Sequence, residues 1–261
     1  MGEQAVLYEA ADRIGLITLN RPEHRNAMSP ELLDAFSVAI DEARADDDIR
    51  CLVITGTGKC FSAGADLRSS LQRTDLGKPS RDASFAMYEP FLKVLDVEVP
   101  VIVAMNGHTV GGGFGLTLLA DIRVANVDAK YGANFARLGI HSGLGISYVL
   151  PRLVGAAHAS ELLLTGKLIR GDEALRIGLL THAVPATEVL PTAMALARAV
   201  SSAAPLAVQQ MKASIRRGLR WEIREAALEE AGLQAASLDT DDAKEGVAAI
   251  LEKREPEFTG R

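Results

Sequence analysis

The chain has 261 residues, of which 48% are hydrophobic and 24% are charged. This globular composition provides enough apolar material for a full core without disulfides or a structural metal. The formal net charge is -6 at pH 7. A mildly acidic protein has no overall attraction to nucleic acid or to an anionic membrane, so neither is an expected partner.

Three further features predict a cytoplasmic protein. The first residues lack a basic segment followed by an apolar one, so we expect no signal peptide. No apolar run approaches the length of a membrane span. Cys51 and Cys60 are the two cysteines, and no spaced set of Cys and His residues predicts zinc, so we expect reduced thiols and no metal.

The first half of the chain alternates short strands with helices. Apolar runs bounded by turn residues predict strands at 6–9, 14–19, 51–55, 101–105 and 122–125. The first two flank a turn and predict a hairpin. Ser29 is a typical N-cap and Pro30 suits the first position of a helix whose apolar residues recur up to Ala43. The alternation favours an α/β fold with repeated βαβ units and a largely parallel sheet.

From about Gly145 the pattern is nearly all helical. Amphipathic helices are predicted at 190–200, 206–215, 223–236 and 241–251. These helices have too much apolar surface to stand alone, so they must pack on the rest of the chain or on another subunit. We divide the chain into residues 1–195 and a C-terminal helical region, residues 196–261. The unpatterned polar stretch 68–81 predicts a mobile loop.

The chain is organised around residues 106–121. Gly111, Gly112 and Gly113 follow a predicted strand and open an apolar helical pattern. Glycine lets a ligand approach the backbone closely, and the first amides of a helix have no internal acceptor. Such a turn predicts a binding site for developing negative charge. The alternative is a tight turn that only packs a helix against its strand.

A second glycine turn, residues 60–67, follows the strand at 51–55. Two such turns can each direct one backbone N–H at the same carbonyl oxygen, which is the arrangement of an oxyanion hole. With these motifs the chain resembles the crotonase (enoyl-CoA hydratase/isomerase) superfamily. The resemblance extends over nearly the whole chain and rests on residues 20–22, 26–28, 61–67, 100–121, 151–155, 161–166 and 174–180.

The resemblance implies a ββα spiral core that binds acyl-CoA in residues 1–195, and a C-terminal helical region used for trimerisation. It implies homotrimers or dimers of trimers, with coenzyme A as part of the substrate and no other cofactor. The backbone amides of Ala65 and Gly112 would hold the thioester oxygen. The residues implied to bind the substrate are Asn26, Ala27, Ala63, Asp66, Leu67, Gly111 and Phe135.

The acidic residues of the superfamily are missing from this chain. Hydratases of the superfamily have glutamates at the positions of Gly115 and Phe135, and some isomerase-like members have an aspartate at the position of Gly143. Addition of water to an enoyl group needs a general base and a general acid, which glycine and phenylalanine cannot supply. The neighbouring His141 is the predicted substitute. Weaker candidates are Tyr88, Glu89, Arg137 and Ser142.

Three interpretations therefore stay open. The first is an acyl-CoA enzyme of the enoyl-CoA hydratase/isomerase family that stabilises a thioester enolate in a two-amide oxyanion hole. The second is a non-catalytic acyl-CoA-binding protein, which the empty acid positions favour. The third is another crotonase-type reaction, such as hydrolysis or decarboxylation, in which a single residue like His141 suffices.

Overall fold

The computed structural model describes residues 4–65 and 80–261. Two sheets form within these residues. The strands of the larger sheet, in spatial order, are β1 (Val6–Ala11), β2 (Ile14–Leu19), β3 (Cys51–Gly56), β5 (Val101–Met105), β7 (Ile122–Asn126) and β10 (His182–Val184). The strands of the smaller sheet, in spatial order, are β4 (Cys60–Ser62), β6 (His108–Val110), β8 (Lys130–Gly132) and β9 (Ile169–Arg170).

The larger sheet confirms the predicted hairpin and the predicted parallel pairing. Strands β1 and β2 are antiparallel, and Asp12 and Arg13 make the turn between them with positive φ angles of 52° and 65°. All other neighbours in this sheet are parallel. Parallel neighbours need crossover connections, and the helices between the strands provide them.

Helices cover the sheets and form most of the C-terminal part. The described helices are α1 (Pro30–Ala45), α2 (Arg81–Leu92), α3 (Gly112–Leu118), α4 (Ile146–Thr165), α5 (Gly171–Arg176), α6 (Val189–Ser202), α7 (Pro205–Ile215), α8 (Leu219–Leu238) and α9 (Asp241–Glu252). Helix α1 begins where the sequence predicts, because the Ser29 hydroxyl accepts a hydrogen bond of 3.2 Å from the Leu32 N–H. A 3-10 segment, Asn134–Leu138, joins β8 to the loop before α4.

The C-terminal region is continuous with the core. The boundary expected after residue 195 falls inside α6, so the structure does not separate two regions at that point. Val189, Ala193 and Ala197 of α6 are fully buried in a cluster with residues of β3, β5 and β7. The prediction of a nearly all-helical pattern from about Gly145 is confirmed, and the structure adds two short strands, β9 and β10, among these helices. Strands of two or three residues are too short to produce a periodic pattern.

Helix α7 is attached to the core by charge and leaves its apolar side chains exposed. The Asp121 carboxylate accepts hydrogen bonds from the Val101 N–H at 2.8 Å and from Arg216 at 2.6 Å, and it pairs with Lys212 at 3.0 Å. Leu206 and Ile215 of α7 are 66% and 77% exposed. Among the described residues, no single helix is long and apolar enough to cross a membrane. The pair Ala186–Ser202 and Pro205–Ile215 would be, by length and composition, but the two segments are bent by 112°.

Candidate active site

Two glycine turns meet at one edge of the smaller sheet. Strands β4 and β6 are parallel neighbours, so the turns that follow them emerge at the same edge. Gly64 has a φ of +78°, and a Cβ atom there would lie 2.8 Å from the Val110 carbonyl oxygen and 3.2 Å from the Gly112 nitrogen. The two turns are therefore in contact, and this contact requires glycine at position 64.

Two backbone N–H groups beside this contact lack a backbone acceptor within the part of the chain that the structure describes. Gly112 is the first residue of α3, with Gly111 as its N-cap at φ 59° and ψ -128°, so its N–H has no acceptor within the helix. Within the described residues, neither the Ala65 N–H nor the Gly112 N–H donates to a backbone carbonyl. Both turns are held in place, because the Met28 N–H donates to the Gly64 carbonyl at 2.8 Å and the Gly111 N–H donates to the Gly132 carbonyl at 3.0 Å.

A cavity of about 50 Å³ opens where the turns meet. Among the described residues, its walls are mostly apolar, and Tyr88 and Asn134 contribute the polar side chains. The lining residues are Met28, Ala63, Ala65, Met87, Tyr88, Gly111, Gly112, Asn134, Phe135, Leu138 and Ile140. A mostly apolar cavity with a few polar groups beside unpaired backbone donors is the usual form of a small-molecule site.

The structure brings together six of the residues singled out from the sequence. All six line this cavity: Ala63, Ala65, Tyr88, Gly111, Gly112 and Phe135. Asp66, Leu67 and most of the stretch 68–81 lie outside the described residues. The two turns lie in contact beside one cavity, and the oxyanion hole itself stays a prediction.

Asn26 has a different position from the one implied by the resemblance. It is fully buried, and its side-chain amide donates to the carbonyls of Thr57 at 3.1 Å and Cys60 at 2.9 Å. Its side-chain oxygen accepts from the Arg21 N–H at 2.8 Å. Because backbone groups occupy these polar atoms, Asn26 holds the loops beside the site. Neither Asn26 nor Ala27 is among the residues that line the cavity.

His141 also lies outside the cavity lining, to which its neighbour Ile140 contributes. The His141 ring Nδ1 is 2.8 Å from the Ser142 carbonyl oxygen, and the His141 backbone N–H donates to the Ser237 hydroxyl at 2.9 Å. This geometry gives no support to His141 as the substitute acid and base. Its role stays a prediction.

Apolar side chains fill the space beside Gly115. A Cβ atom on Gly115 would lie 2.8 Å from Cδ2 of Leu144 and 3.1 Å from Cδ1 of Ile146. Leu144 has a φ of +67°, a backbone conformation that costs energy for a leucine. A side chain at position 115 would therefore displace the ends of these two side chains.

Two buried polar residues of α8 were missed by the sequence analysis. Glu230 and Gln234 are each 2% exposed and lie one turn apart on the face that also buries Ala227, Ala231 and Ala235. The signal was available, because a carboxylate and an amide within an apolar helical stripe must find partners in the core. Gln234 binds Tyr88 and the His141 carbonyl.

Glu230 fixes the loop between the 3-10 segment and α4. Its carboxylate accepts from the Gly145 N–H at 2.7 Å and from the Ser147 N–H at 2.7 Å, and it also binds the Ser147 hydroxyl. Gly145 is the N-cap of α4, so this carboxylate caps the helix from α8. Burial raises the pKa of the Glu230 carboxyl above its ordinary value of 4.5, although the hydrogen bonds from Ser147 and Gly145 oppose this shift.

Comparison with known proteins shows the same fold throughout. The sequence matches the enoyl-CoA hydratase/isomerase family model over residues 9–261. A probable enoyl-CoA hydratase of Mycobacterium leprae is 36% identical over 263 residues, which cover 100% of both chains. A short-chain-enoyl-CoA hydratase of Clostridium acetobutylicum is 34% identical and covers 97% of this chain and 96% of its own. The crystal structure of an enoyl-CoA hydratase/isomerase from Pseudoalteromonas atlantica T6c is 31% identical, with a TM-score of 0.87 over 98% of this chain and 100% of that chain.

Together, the two sheets, the helical C-terminal region and these similarities define a crotonase-fold protein. The chain belongs to the enoyl-CoA hydratase/isomerase family, a family of acyl-CoA enzymes. The predicted fold class and the predicted superfamily are thereby confirmed.

The Glu230→Gln variant tests the helix cap made by α8. An amide has only one acceptor oxygen, so its NH₂ group would face a backbone N–H at either Gly145 or Ser147. We expect the free energy of unfolding to fall by about 1 to 3 kcal/mol, measured by urea denaturation. Glu229→Gln, which changes an exposed residue of the same helix, is the matched control and should have little effect.

The same variant tests the direction of the pKa shift. Because the pKa of Glu230 is higher in the folded chain than in the unfolded chain, the folded chain keeps this proton to higher pH. The contribution of Glu230 to the free energy of unfolding is therefore fully present below its ordinary pKa of 4.5. This contribution is lost as pH rises through the pKa of Glu230 in the folded chain. The wild type should lose more stability than Glu230→Gln over that range. Parallel pH profiles would contradict the raised pKa.

Proposed function

We propose that this chain binds acyl-CoA thioesters and holds the thioester oxygen with the backbone N–H groups of Ala65 and Gly112. The observation that supports this function is the contact between the two glycine turns, with Ala65 and Gly112 both on the wall of one cavity. Preorganised donors stabilise the charge that develops on the oxygen as an enolate forms, by roughly 3 to 4 kcal/mol per donor. Ala63, Gly111 and Phe135 would enclose the acyl group, and coenzyme A would enter as part of the substrate.

The reaction we propose is hydration or isomerisation of an enoyl-CoA, which makes the enzyme a lyase or an isomerase. The names of the relatives support this assignment. One observation favours the alternative of a non-catalytic acyl-CoA-binding protein. Among the described residues that line the cavity there is no carboxylate, and the space around Gly115 is filled by Leu144 and Ile146.

We also propose a homotrimer or a dimer of trimers. Leu206, Met211 and Ile215 of α7 and Trp221 of α8 are between 57% and 77% exposed. Large exposed apolar side chains can mark an interaction site, and a second copy of the chain would cover them. The cytoplasmic location stays a prediction.

Removing the carbonyl oxygen from the ligand tests the two amides without changing the protein. S-butyl-CoA is a thioether that matches butyryl-CoA except for this oxygen. We expect butyryl-CoA to bind at least about tenfold more tightly by calorimetry, because two backbone hydrogen bonds are lost with the thioether. Bound [1-¹³C]butyryl-CoA should also show a lower carbonyl stretching frequency. Equal affinities and an unshifted carbonyl band would exclude the proposed oxyanion hole.

A hydration assay on crotonyl-CoA tests the predicted role of His141. Because the cavity lining does not include His141, we expect His141→Ala to keep the wild-type rate within about twofold, whereas loss of a general acid and base costs about a hundredfold or more. A loss of that size would restore His141 as the catalytic group. Binding of acyl-CoA without turnover by the wild type would favour the non-catalytic alternative.

Sedimentation equilibrium tests the proposed assembly. We expect a mass of three or six chains of 27.8 kDa. Replacing the exposed Leu206 and Ile215 of α7 with serine should shift the mass toward that of one chain, because the apolar area that drives association is lost. Leu164 of α4 is 81% exposed, and its replacement with serine is the control for the loss of one exposed apolar side chain. A wild-type monomer would contradict the assembly.

A further inference from the structure

The ring of Tyr88 in α2 lies between Gly112 and Gly143 at the candidate site. The residue is 2% exposed and lines the cavity together with Gly112. Its Cε1 atom lies 3.5 Å from the position of a Cβ on Gly112. On its other side, Cζ and Oη lie 2.6 Å and 2.7 Å from the position of a Cβ on Gly143. The phenol therefore occupies the space in which a side chain of residue 143 would begin.

This placement makes Tyr88 and a side chain at position 143 mutually exclusive. A Cβ on Gly143 would also lie 2.3 Å from Cε2 of the ring, well inside van der Waals contact. The polar group next to Gly143 is thus the phenol of Tyr88. Glycine at position 143 is what makes room for it.

Gln234 of α8 holds the phenol in place. Its Nε2 atom lies 2.9 Å from the Tyr88 oxygen and 3.0 Å from the His141 carbonyl oxygen. Since a carbonyl oxygen can only accept, the Gln234 atom that faces it must be the nitrogen. With one Nε2 hydrogen directed to His141 and the other to Tyr88, the phenol oxygen is an acceptor in this pair. Its own hydrogen can bind Oε1 of Gln234, at 3.1 Å, or turn to a ligand.

The protonation state of Tyr88 decides what it can do. Burial raises the pKa of the phenol far above its ordinary value of 10.0, and the charge of Glu230 also raises it, whereas the hydrogen bond with Gln234 lowers it. The phenol is therefore neutral throughout the physiological range. A neutral phenol donates a hydrogen bond but does not act as a base.

We propose that Tyr88, positioned by Gln234, donates a hydrogen bond to an oxygen on the acyl chain of the bound thioester and so selects acyl-CoA molecules that are oxygenated near the carbonyl. This inference rests on the proposed binding of the thioester oxygen by Ala65 and Gly112. The other walls near Tyr88 come from Met28, Met87, Leu138 and Ile140. An oxygen at C3, as in a 3-oxoacyl or 3-hydroxyacyl group, needs a donor in this mostly apolar cavity. Tyr88 and Asn134 are the polar side chains on its described wall, and we assign this role to the phenol that Gln234 holds.

Calorimetric titration with acetoacetyl-CoA and butyryl-CoA tests the selection. These ligands have the same chain length and differ by the oxygen at C3. The wild type should bind acetoacetyl-CoA about tenfold more tightly. Tyr88→Phe keeps the ring between Gly112 and Gly143 and removes only the hydroxyl, so it should abolish this preference and leave the affinity for butyryl-CoA within about twofold. The matched control is Tyr8→Phe in β1, which removes a hydroxyl that is bound to Asp46. This variant should keep the preference.

Gln234→Met provides a second variant that preserves side-chain length. It removes the hydrogen bonds to Tyr88 and His141, and the ratio of the two affinities should fall although Tyr88 is intact. A purely structural role would lower the melting temperature and weaken both ligands alike, without changing their ratio.

The outcomes separate this inference from the function on which it rests. If the wild type binds butyryl-CoA more tightly than S-butyl-CoA, the proposed oxyanion hole stands. If the same protein binds acetoacetyl-CoA no more tightly than butyryl-CoA, the role of Tyr88 is overturned. A Tyr88→Phe variant that weakens both thioesters equally would also overturn it. A wild type that binds no thioester would remove the proposed function and the role of Tyr88 together.

Discussion

The contact between two glycine turns is the constraint on which this site depends. Parallel pairing of β4 with β6 brings Gly64 beside Gly111 and Gly112. The contact tolerates no side chain, since a Cβ on Gly64 would lie 2.8 Å from a backbone oxygen and a Cβ on Gly113 would lie 2.4 Å from the side chain of Ser62. The first turn of α3 therefore packs directly on the end of β4, and its first amides are presented beside Ala65.

The other walls of the cavity come from distant parts of the chain. Helix α2 contributes Tyr88, which Gln234 of α8 holds, and the 3-10 segment contributes Phe135. Glu230 binds the start of α4 and Gln234 binds Tyr88, one helical turn apart. One helix therefore supplies both the cap of α4 and the hydrogen bond to the phenol. The C-terminal region is thus part of the site architecture and not an appendage to it.

Other side chains lie where a side chain at position 115 or 143 would begin. Leu144 and Ile146 fill the space beside Gly115, and Tyr88 fills the space beside Gly143. The described cavity wall is accordingly apolar apart from Tyr88 and Asn134.

The hairpin, the parallel strands, the cap of α1 and the two glycine turns could be predicted from local patterns, namely strand and helix periodicity and the residues that turns require. The superfamily was predicted from the resemblance of the motifs, which the comparisons confirm. The folded chain was needed to show that α6 crosses the expected boundary, that Asn26 binds the loops, and that Tyr88 lines the site while His141 does not. Those outcomes depend on which distant side chains meet, and the spacing of residues along one chain contains no such information. Glu230 and Gln234 lie between the two cases. Their spacing marked them as buried, but their partners lie more than eighty residues away.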